Sequence, residues 1–260
     1  MWNLADTEFY ALWTSRTNDV LPLPFTFTSR ASGGREFEAE LINAGASLSE
    51  KAGRSLDPVI DALQRPDLTV TVCGWDETDP MRPDAQVRVL GARRGPHGYV
   101  VKCSMGETYW YDRRYLITVC DPLRLADEVV AALPDFKPGT RGDITLASSR
   151  SDGPEDSFRA SSIRDSMVVS TVDRAREFER LPTNGVGEII ISQGESVFGP
   201  RGIKQHELRW RDIQDDGRYV ITDQDPPVAV AADDQRTVGL INSGIASVIR
   251  VIKEEREMRR

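Results

Sequence analysis

The chain is 260 residues long, 39% hydrophobic and 28% charged, a composition that folds around a substantial core and excludes wholesale disorder. Its 33 Lys and Arg against 41 Asp and Glu leave a formal charge of −8, which disfavours general binding to a phosphate backbone without excluding a local basic patch. The first residues show no basic stretch leading into an apolar one, and no apolar run reaches the roughly 18 residues that span a bilayer. With Cys73, Cys103 and Cys120 scattered in apolar surroundings, a soluble cytoplasmic protein with buried thiols is expected.

Taken in chain order, Phe9, Leu12 and Trp13 fall at helical spacing behind Asp6 and Glu8, which predicts a helix over Asp6 to Trp13. Pro22 and Pro24 enforce extended backbone, and Phe25 to Thr28 reads as a short strand. Glu36 to Ala46 reads as a helix with Phe37, Leu41 and Ala44 inward. Asp57-Pro58 predicts another, with Asp57 as N-cap, Pro58 at the first helical position and Val59, Ile60 and Leu63 as its apolar face.

From Leu68 the pattern turns to β. Strands are expected at Leu68 to Gly74, Gln86 to Arg93, Tyr99 to Ser104, Glu107 to Tyr111 and Tyr115 to Val119, with Gly95-Pro96-His97-Gly98 closing a hairpin. Asp121-Pro122 repeats the cap signal ahead of an amphipathic helix carrying Leu125, Val129 and Leu133, which Pro134 stops. The Pro/Gly-rich connector Pro134 to Gly142 is the candidate boundary between an N-terminal half, 1–135, and a C-terminal half, 143–260.

The second half replays the first. Phe27-Thr28-Ser29-Arg30 is echoed by Ala147-Ser148-Ser149-Arg150, Thr69 to Gly74 by Ile189 to Gly194, and the hairpin Gln86 to Val101 by Gln205 to Val220. Each half ends in an amphipathic helix, the last from about Asp234 with Val238, Ile241, Ile245, Val248 and Ile252 inward. The expected fold is α+β, a single domain of two duplicated halves related by a pseudo-two-fold.

A search for reactive groups returns none. His97 lies in a turn and His206 at a strand start, neither with an orienting partner nearby in sequence, and the cysteines have no metal-ligand spacing. Gly185-x-Gly187 and Gly199-Pro200-Arg201-Gly202 read as ordinary loops, since neither completes a nucleotide-binding pattern. Asp76, Glu77, Asp79 and Asp84 read as a solvated acidic loop that lacks the glycine and terminal glutamate of a calcium site. No catalytic residue, metal or cofactor is assigned. Large apolar groups are more informative: Trp75 and Met81 stand among charges and prolines, and on a strand Trp110 would face away from Tyr109 and Tyr111.

These stretches carry a resemblance. Trp2-x-Leu4, Glu8-Phe9-x-x-Leu12-Trp13, Leu21-Pro22-x-Pro24, Leu56-Asp57-Pro58, Arg65-Pro66-Asp67-Leu68-x-Val70 and Val89-Leu90-Gly91-Ala92-Arg93-Arg94-Gly95 follow one another in the order and spacing of actinobacterial EspG-type proteins. The closing Asp215-Asp216-Gly217-Arg218-Tyr219 turn and terminal helix also resemble that family, which belongs to the ESX (type VII) secretion systems. The resemblance implies a central antiparallel sheet flanked by helical bundles. It also implies a non-enzymatic cytoplasmic chaperone that binds the helical tip of a PE–PPE heterodimer, or a similar helical ESX substrate, and keeps it soluble for export. Partner contacts in the family come from the loop between the second and third strands, here Trp75 to Ala85, and from the C-terminal helical region. The candidate partner-binding residues are Trp75, Asp76, Glu77, Met81 and Arg82 from that loop, together with Trp110 from the strand-alternation argument, with a weak homodimer as a further possible assembly. Two other readings stay open: a small-molecule or enzymatic α+β domain, which needs a deep pocket lined by perturbed ionisable groups, and a non-catalytic scaffold or regulatory subunit for another helical protein.

Overall fold

The computed structural model describes residues 1–147 and 172–259. Their organising feature is one antiparallel sheet of ten strands. In chain order the elements are β1 (Trp2–Ala5), α1 (Asp6–Thr17), α2 (Gly34–Lys51), α3 (Asp57–Gln64), β2 (Leu68–Trp75), β3 (Val87–Arg94), β4 (His97–Met105), β5 (Asp112–Cys120) and α4 (Leu125–Ala131). There follow β6 (Ile144–Thr145), a helical segment over 172–179, β7 (Thr183–Gln193), β8 (Gln205–Ile213), β9 (Gly217–Ile221), β10 (Val228–Ala231) and α5 (Asp234–Met258). Across the sheet the strands run β1-β5-β4-β3-β2-β7-β8-β9-β10-β6.

Period-two alternation explains how this sheet is covered. Along β2, Leu68, Val70 and Val72 point to one face and meet Ile189 and Ile191 of β7, Val89 of β3 and Leu208 of β8. Over that face lie α4, through Leu125, Val129 and Val130, and α5, through Ile241, Ile245 and Val248. The alternate residues of the first strands, Leu90, Ala92, Val101, Tyr115 and Ile117, turn to the other face, which α1 and α3 cover with Phe9, Leu12, Trp13, Val59 and Leu63. At about 25 cal/mol per Å² of apolar surface removed from water, these two layers supply the main stabilising contribution.

Several local expectations are met. Asp121 accepts from the Leu123 amide at 2.8 Å and Asp233 from the Arg236 amide at 2.8 Å, each starting a helical turn. The β3–β4 hairpin closes tightly on Gly95 and Pro96, with Arg94 paired to His97 and Gly95 at φ 54°.

Others are corrected. Phe25 to Thr28 is not a strand: the sheet edge beside β5 is taken by β1, so this segment finds no ladder partner and anchors through its rings instead. Phe25 meets Phe9 and Tyr115 edge-on, and Phe27 stacks on Tyr10 at 4.0 Å. Asp57 is not the cap of α3. Leu56 holds that position, and Asp57 forms ion pairs with Arg16 at 2.8 Å and Arg54 at 3.0 Å. Glu107 to Tyr111 is a turn between β4 and β5, because Gly106 donates its amide to the Tyr111 carbonyl at 2.6 Å and folds the chain back. Gly185 and Gly187 lie in strand β7, not in a loop. Of the echo at Ala147 to Arg150, residues 148–150 lie outside the described residues.

Candidate functional site

Antiparallel pairing decides which loops meet. Trp75 at the end of β2 pairs with Val186 near the start of β7, Arg88 near the start of β3 pairs with Cys103 near the end of β4, and Met105 pairs with Asp112 at the start of β5. The β2–β3 connection, the β4–β5 turn and the β8–β9 turn therefore crown the same end of the sheet.

Beneath the first of these is a cavity of about 400 Å³, with Trp75, Val87, Phe136, Val186 and Trp210 among its walls. Its floor is Trp210, only 3% exposed. The indole lies across Gly74 and Gly187, which face each other in register in β2 and β7. A Cβ on Gly187 would stand 2.1 Å from Trp210 Cη2, and one on Gly74 2.6 Å from Cζ2, so this pair of glycines is what lets the ring lie flat. Asp212 closes the lower wall, held from behind by Arg218 in a bidentate pair at 2.7 and 2.9 Å, with the guanidinium over Phe136 at 5.1 Å. Burial pushes the Asp212 carboxyl above its ordinary value, and the Arg218 bonds offset only part of that shift.

The roof is the connection 76–86; Glu77, Asp79 and Asp84 are exposed as a solvated acidic loop requires, and Asp76 alone departs from that reading. Asp76 is 6% exposed and accepts from the Thr78 amide and hydroxyl, both at 2.7 Å, and from the Asp79 amide at 3.2 Å. Those bonds, the Thr78 hydroxyl first, hold its carboxyl below the ordinary value. Arg82 pairs with Asp76 at 2.6 Å and with Asp84 at 3.1 Å, while the Gln86 side-chain Nε2 donates to the Pro80 carbonyl at 2.9 Å. Glu77 reaches sideways to β7, accepting from the Thr183 hydroxyl at 2.8 Å. Folded this way, the loop leaves Met81 at its surface, 47% exposed.

Trp75 belongs to the end of β2 and is half-buried against the cavity. Trp110 owes its 58% exposure to its place on the β4–β5 turn, not to strand alternation, and packs edge-on to Tyr109 at 5.2 Å. A shallower hollow lined by Asp84, Gln86, Lys102 and Gly106 joins the roof to the root of that turn. Of the six candidates, Trp75, Met81 and Trp110 thus offer apolar surface at one end of the sheet, Asp76 and Arg82 shape the roof, and Glu77 ties it to β7. Sequence reasoning missed Trp210, Phe136 and the glycine pair. The available signal was two glycines inside β-patterned stretches, which mark close approach of something large.

Chemically the arrangement suits burial of a partner's apolar side chain. Trp75, Phe136 and Trp210 give the cavity aromatic walls, its Arg82, Asp84, Arg88 and Asp212 side chains are engaged in ion pairs, and the rim carries exposed apolar groups. Burial pushes the Cys103 thiol and the Tyr115 hydroxyl far above their ordinary values, so neither supplies an anion near neutrality. His206 Nδ1 lies 2.8 Å from an Asp223 carboxylate oxygen, on β8. Among the described residues, no group of three or more His, Cys, Asp or Glu is placed to hold a metal ion, and no helix is long and apolar enough to cross a membrane.

Comparison with protein families matches residues 6–242 to the EspG family. Comparison with curated proteins finds no match. Among solved structures, the chain is similar to the Mycobacterium tuberculosis type VII secretion system chaperone EspG5, solved in complex with a PE25–PPE41 dimer. That likeness has a TM-score of 0.56 at 13% identity and covers 94% of this chain and 95% of the other, which is a likeness of fold.

Proposed function

The chain belongs to the EspG family, and from that premise we propose that it is a type VII secretion chaperone that captures the helical tip of a PE–PPE heterodimer in the cytoplasm and keeps it soluble for export. Membership of the family carries this reading, and the cavity over Trp210 supports where the contact is made. The exposed tip of a helical bundle self-associates through its apolar side chains, and sinking one of them into an aromatic pocket covers that surface. In this reading Trp75 and Met81 form the near rim and Trp110 the far rim, while Asp76 and Arg82 hold the roof in shape. The role is one of binding, without catalysis.

The same proposal extends to the architecture. Outward from the central β2–β7 pair the strands read β3, β4, β5 on one side and β8, β9, β10 on the other, each series followed in the chain by a helix. Thr71 pairs with Ile190, which lies 119 residues further along and matches the repeat seen in the sequence. These features support a duplication with halves 1–135 and 143–260 forming one domain, its local two-fold passing near Thr71 and Ile190. The helices over each face would stand for the family's flanking bundles.

Co-expression with a PE–PPE pair encoded in the same genomic cluster tests the function. Wild type is expected to hold the pair in the soluble fraction as a complex. Trp75→Ala and Met81→Asp should weaken capture by about 2 kcal/mol each, the scale of a central interface anchor, while leaving the fold intact. Soluble capture undiminished in both variants would remove the loop from the interface, and no capture by wild type would reject the function.

A further inference from the structure

Arg88 is a charged residue buried at the boundary between the cavity and the β4–β5 turn, and its guanidinium reaches three separate segments. Nη1 pairs with Asp112 at 3.0 Å, where the two side chains are 6% and 1% exposed, and donates to the Thr26 hydroxyl at 2.8 Å. Nη2 donates to the Tyr109 carbonyl at 3.4 Å, and the guanidinium carbon lies over the Tyr109 ring at 4.9 Å. Asp112 is held from its other side by the Tyr115 hydroxyl, which donates its one proton to the carboxylate and lies 3.2 Å from the Thr26 carbonyl oxygen. The ion pair, fixed in the sheet, thus holds both the ring and the backbone of the residue immediately before Trp110.

A large exposed side chain on a short turn normally samples many orientations, and ordering it on contact costs affinity. Here the turn is closed beneath Trp110 by the Gly106–Tyr111 bond at 2.6 Å, and the indole leans on a Tyr109 ring that is itself pinned by Arg88. We propose that Arg88 is a positioning residue for client recognition: through Tyr109 it presents Trp110 in a fixed orientation as the far rim of the client surface. This rests on the chaperone reading above. A guanidinium is the group suited to the task, since its charge sits over the ring while its nitrogens bond carboxylate, hydroxyl and carbonyl together. Lysine keeps the charge opposite Asp112 but loses the fork.

The experiment is a double-mutant cycle on the full chain, reading affinity for the purified PE–PPE heterodimer from the same gene cluster by titration calorimetry. Trp110→Ala is expected to weaken binding about 10–30-fold, and Arg88→Lys about 5–10-fold. In the Trp110→Ala background, Arg88→Lys should change affinity less than about twofold. Tyr109→Ala, which leaves the buried pair untouched, should reproduce the Arg88→Lys effect. Hydrogen exchange on the free protein gives a second readout, with the bonded amides of Gly106 and Tyr111 expected to exchange at least about 10-fold faster in both Arg88→Lys and Tyr109→Ala while the core strands keep their protection. An equal loss from Arg88→Lys in both backgrounds makes Arg88 merely structural and overturns the proposal. Unchanged affinity in Trp110→Ala, or unchanged exchange in the turn, overturns it too. Wild type that fails to bind the heterodimer overturns the chaperone reading and with it this role, whatever the exchange shows.

Discussion

Replacing Gly187 by alanine adds a single methyl group, and the structure states what it meets. The new Cβ would lie 2.1 Å from Trp210 Cη2, 2.3 Å from Cζ2 and 2.4 Å from the Cys73 carbonyl oxygen. The indole can tilt away at the expense of the cavity floor, but the carbonyl belongs to the neighbouring strand and can move only by distorting the central pair. Overpacking of this kind costs about 1–3 kcal/mol, and the backbone contact places this site near the upper end. Trp210→Ala, which empties a buried aromatic site, should cost about 3–5 kcal/mol. Because part of the Gly187→Ala strain is the clash with the ring, the double variant should recover about 1 kcal/mol relative to the sum of the two single changes. Urea unfolding by circular dichroism measures all three, with an unchanged slope confirming that stability alone has moved. Strict additivity, or a Gly187→Ala cost below about 0.5 kcal/mol, would refute the claim that these glycines exist to seat the indole.

Two further outcomes concern protons. The Thr78 hydroxyl and amide hold Asp76 below its ordinary 3.8, and the Val197 amide and Ser196 hydroxyl hold Glu255 below its ordinary 4.5. A carboxyl depressed by folding stabilises fully above its unfolded value and loses that contribution as pH falls through the folded one. The urea midpoint should therefore stay level from pH 7 to about 5 and then decline toward pH 3, less steeply in Asp76→Asn and Glu255→Gln. An identical decline in the variants would refute the assignment. Thiols move the other way: burial pushes Cys103 well up, and burial with the Glu128 and Asp121 charges lifts Cys120 to about 11. With a disulfide reagent at pH 8, Cys103 should label far more slowly in the folded protein than in urea, and equal rates would contradict its burial.

The sequence carried much of the fold because its strongest signals are local. Alternation marked β2, β3 and β4 to within two residues of their observed bounds, and Asp121-Pro122 and the stripe from Val238 to Ile252 located the helices over the sheet. Errors fell where a partner distant in sequence decides the outcome. Phe25 to Thr28 has strand character, but β1 holds the only ladder position beside β5, a competition that cannot be read from either segment alone. Trp110 looked like a strand residue until the Gly106–Tyr111 bond made its surroundings a turn. Of the candidate site, the exposed apolar residues were legible, whereas the cavity needs Trp75 and Val186 side by side across more than 100 residues of chain. From composition Asp76 reads as solvated, because composition says nothing of a side chain folding back onto its own loop.

The join between the two sides of the molecule is a continuous ladder from Leu68–Gln193 to Trp75–Val186, and α5 packs over both of its strands. Such a seam has no hinge. On the proposed reading, in which the client is gripped at the end of this ladder, release would come not from the two sides swinging apart like jaws but from the crown above an unmoved platform.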